Sequence, residues 1–159
     1  MLCSILLTIT AIIQVVTLSA VNALDPGRYT IGRGDVFLTT GTNSGDVMPK
    51  KFDEGQVKPV WTVDRVTEST GAGAAEILYT LKFEAAARFM SYNDPAADQE
   101  IIEAKSTARS FHLELIISDK NAHRIQPAKG SKYAICGGSS MFARFGVVNN
   151  NEVKLKDNH

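Results

Sequence analysis

Most of the chain beyond residue 24 alternates between apolar and polar positions in short segments. Tyr29-Thr30-Ile31, Trp61-Thr62-Val63 and Phe111-His112-Leu113-Glu114-Leu115 are three of these segments. Successive side chains of a strand point to opposite faces, so a period of two predicts strands with one buried face. Glycine, asparagine, aspartate and serine fill the gaps, as in 41–46 and 71–73, and these residues favour tight turns. The pattern predicts an all-β protein.

The strand pattern recurs at matching intervals. Tyr29-Thr30-Ile31 is similar to Tyr79-Thr80-Leu81, fifty residues later, and to His123-Arg124-Ile125, forty-four residues further. From these starts, a step of 23 residues reaches Phe52, Ile102 and Gly146, and a step of 32 reaches Trp61, Phe111 and Leu155. The second strand recurs at 36–38, 89–90 and 133–135. A shared internal spacing of this kind indicates three units of four strands.

Three such units predict a β-trefoil, because each unit alone is too small to bury its apolar face. Six strands would close a barrel and six would cap one end as hairpins, which removes exposed sheet edges. We place the repeats at about 25–75, 76–119 and 120–159. A β-sandwich whose strand spacings agree by chance is the alternative.

Two segments of the second unit have helix-forming composition. Phe83-Glu84-Ala85-Ala86-Ala87-Arg88-Phe89 is rich in alanine, and 94–100 begins with Asp94 as a cap and Pro95 in the first helical position. A short helical turn inserted between strands would accommodate both.

The first 23 residues form a separate segment. Leu2 to Val21 contains no charged residue, and Val21-Asn22-Ala23 has the small residues that suit signal peptidase. We expect cleavage after Ala23 and secretion of one domain, 24–159. A membrane anchor is the alternative, since the run approaches the roughly 20 residues that span a bilayer. No Lys or Arg precedes the apolar run, so a mis-assigned start also stays open.

Charge and cysteine content narrow the function. The 17 basic and 17 acidic residues balance, which disfavours nucleic-acid binding. After cleavage, Cys136 is the one remaining cysteine, so an intramolecular disulfide cannot form. Because Cys136 ends the apolar run Tyr133-Ala134-Ile135, we expect it to be buried rather than to join two chains, and the protein to be a monomer.

The sequence contains no catalytic or metal-binding pattern. His112 and His123 lie in predicted strands, and Ser110 and Asp119 near His112 would not converge on it, because strand neighbours face opposite sides. Paired cysteines or histidines and closely spaced aspartates are absent, so we expect no metal and no cofactor. We expect a non-enzymatic protein that acts through its loops.

Carbohydrate binding is one function open to such a scaffold. A sugar-binding trefoil usually repeats Gln-X-Trp in each unit, whereas this chain has one tryptophan, Trp61, preceded by Val60. Its place at the start of a repeat-matched strand predicts a core residue. A secreted lectin would use Trp61 and Tyr92 only if they are exposed.

A second function follows from a resemblance. Pro26-Gly27-Arg28-Tyr29-Thr30-Ile31, Pro49-Lys50-Lys51 and Pro59-Val60-Trp61-Thr62-Val63 resemble the first unit of fungal β-trefoil serine-protease inhibitors, the cnispin-like family. Tyr79-Thr80-Leu81-Lys82 resembles the strand that opens their second unit, and the likeness covers about 25–82. The resemblance implies a trefoil that inhibits trypsin-like serine proteases by inserting a rigid loop with a Lys or Arg into their specificity pocket.

The reactive lysine of that family lies in a loop of the third unit, which corresponds here to 149–156. The resemblance implies Lys154 as the specificity residue and Lys156 as the second candidate, with Asn149, Asn150 and Asn151 bracing the loop. Alternation alone predicts an ordinary strand with both lysines on its solvent face. The loop 67–75 holds no Lys or Arg, which disfavours it as a trypsin-binding loop. Inhibition of cysteine proteases through other loops is a further alternative.

Overall fold

The computed structural model describes residues 23–41, 45–70, 74–115, 122–129, 133–136, 143–147 and 154–157. The strands of the first repeat are β1 (Gly27–Arg33), β2 (Val36–Thr40), β3 (Val47–Lys51) and β4 (Trp61–Thr70). Those of the second are β5 (Ala74–Phe83), β6 (Arg88–Ser91), β7 (Glu103–Lys105) and β8 (Phe111–Leu115). Those of the third are β9 (Ala122–Pro127), β10 (Tyr133–Cys136), β11 (Arg144–Val147) and β12 (Lys154–Asp157).

Six of these strands close a barrel. Each pairs antiparallel with the next in the order β1, β4, β5, β8, β9, β12, and β12 returns to β1. The other six form the hairpins β2–β3, β6–β7 and β10–β11. This is the β-trefoil that the repeats predict. A β-sandwich is excluded because each of its two sheets would have edge strands, whereas the six paired strands form a closed barrel without an edge strand.

The core repeats with the strands, which confirms the spacing for the first, second and fourth strands of each repeat. The step of 23 residues is wrong, because Phe52 follows β3 whereas Ile102 precedes β7. Three sets of equivalent side chains are fully buried: Ile31, Leu81 and Ile125; Trp61, Phe111 and Leu155; Leu38, Met90 and Ile135. The indole Nε1 of Trp61 donates a hydrogen bond to the carbonyl of Leu38 at 3.0 Å, so its one polar group is satisfied inside the core. Trp61 is a core residue, as its position in the repeat predicts.

A ring of three backbone hydrogen bonds joins the repeats at their hairpins. The amide of Val47 donates to the carbonyl of Ile102 at 3.0 Å, Ile102 donates to Ala143 at 2.9 Å, and Ala143 donates back to Val47 at 2.8 Å. All three residues are fully buried. Each repeat contributes one donor and one acceptor, so the ring marks the pseudo-threefold axis and satisfies polar groups that water cannot reach.

The helical turn expected in the second repeat is not formed. Glu84 to Ala87 make a tight turn between β5 and β6, although alanine favours helices. Near 94–100, Glu100 accepts hydrogen bonds from the amides of Asn93 and Ala97, and this loop is not a helix either. In the first segment, four residues between the paired strands β5 and β6 are too few to nucleate a helix, so strand pairing overrides local propensity there.

Residues 1–22 of the leader fall outside the described residues, so its cleavage and the domain boundaries stay predictions. In the part of the chain that the structure describes, no helix is long and apolar enough to cross a membrane.

Candidate functional site

The turn between β5 and β6 shapes the surface on both of its sides. Phe83 pairs with Arg88 across the hairpin, so Glu84 to Ala87 make the whole connection. Three of these four residues are alanines, and Ala87 adopts the left-handed conformation with φ of 52°. Because methyl side chains fill little space, a depression lies on each side of the turn.

The carboxylate of Glu84, at the start of this turn, is held in one orientation. Arg28 donates to it from Nε at 2.7 Å and from Nη2 at 2.9 Å, and the hydroxyl of Thr62 donates at 3.1 Å. Hydrogen bonds from Arg28 lower the pKa of Glu84 below its ordinary value, and Glu84 in turn raises the pKa of Arg28. Both groups are therefore charged at neutral pH and form a pre-arranged polar edge.

A groove of about 520 Å³ lies between this turn and the β3–β4 connection, residues 52–60. The connection is fixed by hydrogen bonds from the Phe52 amide to the Asp35 carbonyl at 2.9 Å and from the Asp53 amide to the Gln56 side chain at 3.1 Å. Most of the lining is apolar: Phe52, Val57, Pro59, Val60, Phe83 and Ala85. The polar part of the lining consists of Arg28, Thr39, Lys58 and Glu84.

Val57 is the most unusual member of this lining. It is 90 % exposed, the one large apolar side chain exposed in this way among the residues described. Single apolar side chains on a protein surface are ordinary, but Val57 belongs to the lining of the groove and adds to its apolar surface.

Two lysines lie against the aromatic side of the groove. Lys50 Nζ is 5.5 Å from the centre of the Phe52 ring, and Lys58 Nζ is 5.0 Å from that of Phe37. The two rings meet edge to face, with centres 6.0 Å apart. Cation–π contacts of this kind hold the lysine stems on the rings and leave positive charge beside the groove.

A second depression, of about 380 Å³, lies on the other side of the turn. It is bounded by Thr40 and Gly41 at the end of β2, by Ala86 of the turn, and by Arg88 at the start of β6. Phe83 and Ala85 line both depressions, so the two are separated only by the low ridge of the turn. We call them the groove and the Arg88 pocket.

The lysines proposed from the resemblance lie elsewhere. Lys154 and Lys156 are in β12, where Lys154 pairs with Gly32 and Arg124, and Lys156 pairs with Thr30 and Ala122. A substrate-like loop must enter the cleft of a protease, and a strand paired on both sides does not protrude. Their placement agrees with the strand interpretation, while protease contact itself stays a prediction. Asn149, Asn150 and Asn151 lie outside the described residues.

The aromatic residues considered for stacking on sugar are buried. Trp61 is fully buried, and Tyr92 is 5 % exposed, with its hydroxyl donating to the Ser110 carbonyl at 2.8 Å. The amide of Ala128 donates to the same hydroxyl at 3.1 Å, and burial raises the pKa of Tyr92. Neither ring can stack on a sugar, so a lectin site on this chain would use other residues.

Ser110 and His112 do not form a nucleophile–base pair. The Ser110 hydroxyl donates to Glu68 at 2.7 Å, and His112 Nε2 lies 3.0 Å from Glu76. Asp119 is not among the described residues. In the ranges that are described, no three His, Cys, Asp or Glu side chains are grouped so that they could hold a metal ion. Cys136 lies in β10, and its side chain is outside the description.

Sequence reasoning missed both depressions, because their residues are far apart in the chain. Arg28 and Glu84 are 56 positions apart and meet only because β1 and β5 pair with opposite edges of β4 in the barrel. One local signal was present. Val57 is an isolated apolar residue in the polar segment Asp53-Glu54-Gly55-Gln56-Val57-Lys58, where nothing in the strand pattern requires it.

Comparison with known proteins supports the fold. No protein-family model matches the sequence, and no curated protein matches it either. Among solved structures, the chain is similar to the Macrolepiota procera ricin B-like lectin in complex with lactose, with a TM-score of 0.61 and 14 % sequence identity. The match covers 84 % of this chain and 97 % of the lectin. At this identity the likeness establishes the β-trefoil fold alone.

Proposed function

We propose that this chain is a non-catalytic carbohydrate-binding protein that holds a saccharide in the groove beside the β5–β6 turn. The observation that carries the proposal is the combination of an apolar groove with a fixed Arg28–Glu84 edge. The fold neighbour is a lectin in complex with lactose, which agrees with this assignment. The predicted leader peptide would deliver such a protein to the outside of the cell.

The groove suits a sugar ring because its chemistry has two sides. A pyranose ring has apolar C–H faces and hydroxyl groups along its edge, and sugar sites combine apolar or aromatic contacts with a few placed polar groups. Phe52, Val57 and Val60 offer the apolar contacts. Glu84 accepts hydrogen bonds and Arg28 donates them.

The polar edge is ordered before any ligand arrives. Arg28 and Thr62 hold the Glu84 carboxylate in place, so little conformational entropy is lost when a hydroxyl group binds to it. The buried position of Trp61 does not weaken this proposal, because the groove uses residues of the β3–β4 connection instead.

A glycan array followed by calorimetric titration tests the proposal. We expect the mature protein to bind at least one glycan, and Glu84→Gln to weaken that binding by about tenfold, because the Arg28-ordered carboxylate loses its charge. Glu114→Gln is the matched control, since Glu114 forms a similar ion pair with Arg124 at 2.7 Å but does not line the groove. Absence of binding to every glycan at millimolar concentration would refute the proposal.

Inhibition of trypsin-like serine proteases is the second candidate, and the resemblance of 25–82 to the cnispin-like family favours it. Such inhibition would need a reactive loop elsewhere in the chain, since Lys154 and Lys156 lie in the paired strand β12. Titration of trypsin, with papain in parallel, separates it from the first candidate. Unchanged activity of both enzymes at micromolar concentration of the protein would exclude inhibition of these two enzymes.

A further inference from the structure

The guanidinium group of Arg88, in the wall of the Arg88 pocket, has no carboxylate partner among the described residues. Arg28, Arg65 and Arg124 are ion-paired with Glu84, Asp25 and Glu114 respectively. Arg88 forms no such pair with any residue described, although it stands at the wall of a depression of about 380 Å³. A guanidinium group offers five N–H donors and stays charged at any physiological pH, so an open one is suited to an anionic group.

Three of the described residues that line the Arg88 pocket have a small side chain or none. Ala85 and Ala86 present only methyl groups, and Gly41 has no side chain at all. A planar carboxylate or a tetrahedral sulfate ester can therefore approach the guanidinium group.

The pocket and the groove form one continuous surface. Phe83 and Ala85 line both depressions. One ligand can therefore occupy the groove with its ring and extend a substituent across Ala85 to Arg88. Lys50 and Lys58 add positive charge beside the groove, and such charge attracts an anionic ligand over a distance of about 10 Å.

We propose that the ligand of this surface is an acidic saccharide, whose sugar ring lies in the groove and whose carboxylate or sulfate group binds Arg88. This inference rests on the proposed carbohydrate-binding function and adds the class of ligand. A guanidinium group binds such anions through two parallel hydrogen bonds, which a neutral hydroxyl group cannot reproduce. Arg88 is thus the residue that distinguishes acidic from neutral sugars.

The test compares matched pairs of glycans. An array of neutral glycans is printed together with their sialylated, uronate-containing and sulfated counterparts, and calorimetry then measures the best neutral–acidic pair. We expect the acidic member to bind about tenfold more tightly, and Arg88→Ala to remove that advantage while leaving the neutral member unchanged. Arg88→Lys should retain part of the advantage, because a lysine keeps the charge without the paired donors.

Arg109→Ala is the control for loss of one positive charge, since Arg109 is exposed and lines neither depression. Comparison of the sialylated and uronate arms with the sulfated arm shows which anion is preferred. Equal affinity for neutral and acidic glycans, or an equal loss for both in Arg88→Ala, would overturn the inference and leave the carbohydrate-binding proposal standing. Failure to bind any glycan would overturn both.

Discussion

At one equivalent position of the three repeats the residue type differs, and the local hydrogen bonding differs with it. Tyr29 and Tyr79 occupy this position in β1 and β5, and both hydroxyl groups reach the segment before β1. Tyr29 donates to the Asp25 carbonyl at 2.7 Å, and Tyr79 donates to the Leu24 carbonyl at 3.2 Å. The third repeat has His123, which is 7 % exposed and whose Nδ1 has no hydrogen-bond partner in the described part of the chain.

Burial gives His123 an effect on stability that depends on pH. It lowers the pKa of His123 below the ordinary value of 6.5, because the interior disfavours the charged imidazolium. Below about pH 6.5, His123 is protonated in the unfolded chain while it is still neutral in the folded chain. This contribution to stability is present in full above pH 6.5 and is lost as the pH falls towards the lowered value.

We therefore expect His123→Phe to reduce the loss of unfolding free energy between pH 7 and pH 5. The variant removes at most about 1.4 kcal/mol per pH unit from the slope of the unfolding free energy against pH, because one proton is involved. Urea unfolding at several pH values measures it. His112→Gln, which replaces a partly exposed histidine, should keep the loss due to His123. Parallel pH profiles of the wild type and His123→Phe would contradict the assignment.

At the scale of elements, the β1–β2 hairpin depends on a glycine for close approach of its strands. Gly32 in β1 pairs with Phe37 in β2 and with Lys154 in β12. A Cβ on Gly32 would overlap the carbonyl oxygen of Val36 and lie 2.8 Å from Cδ1 of Phe37. The backbone oxygen cannot move aside as a flexible side chain could.

Gly32→Ala should lower the free energy of unfolding by about 1–3 kcal/mol, because the hairpin must open to admit the methyl group. Chemical denaturation followed by circular dichroism measures the change. Gly45→Ala is the matched control, since its methyl group would meet its nearest atom, the Ala104 carbonyl oxygen, at an ordinary 3.6 Å. Equal stability of the two variants would show that the hairpin has room that the structure does not indicate.

At the scale of the whole molecule, the ring of backbone hydrogen bonds through Val47, Ile102 and Ala143 couples the three repeats. Each repeat supplies one member, and each bond crosses from one repeat to another. No repeat can bury its share of the core alone. The molecule is therefore expected to unfold as one cooperative unit rather than repeat by repeat.

Ile102→Ala tests this coupling, because Ile102 is fully buried in the second repeat while the fluorescent Trp61 is in the first. The cavity should cost about 2–5 kcal/mol, and the midpoints from Trp61 fluorescence and far-ultraviolet circular dichroism should fall together. Ile101→Ala, at a partly exposed neighbour, should cost less. A fluorescence midpoint that stays in place while the circular dichroism midpoint falls would mean that the repeats unfold independently.

The sequence by itself determined the fold, because period-two alternation and a repeated interval can be recognised from the order of the residues alone. Two sets of buried side chains follow from that spacing: Ile31, Leu81 and Ile125, and Trp61, Phe111 and Leu155. Local composition was less reliable. The alanines of 85–87 suggest a helix, but the paired strands on either side leave room only for a turn.

Only the tertiary structure decided where a ligand could bind. The groove joins Phe52 and Val57 to Arg28 and Glu84, and the Arg88 pocket joins the end of β2 to the start of β6. Barrel closure places residues next to each other that are tens of positions apart, and no pattern along one chain records such proximity. The trefoil could therefore be predicted from the order of its residues, whereas its candidate site could not.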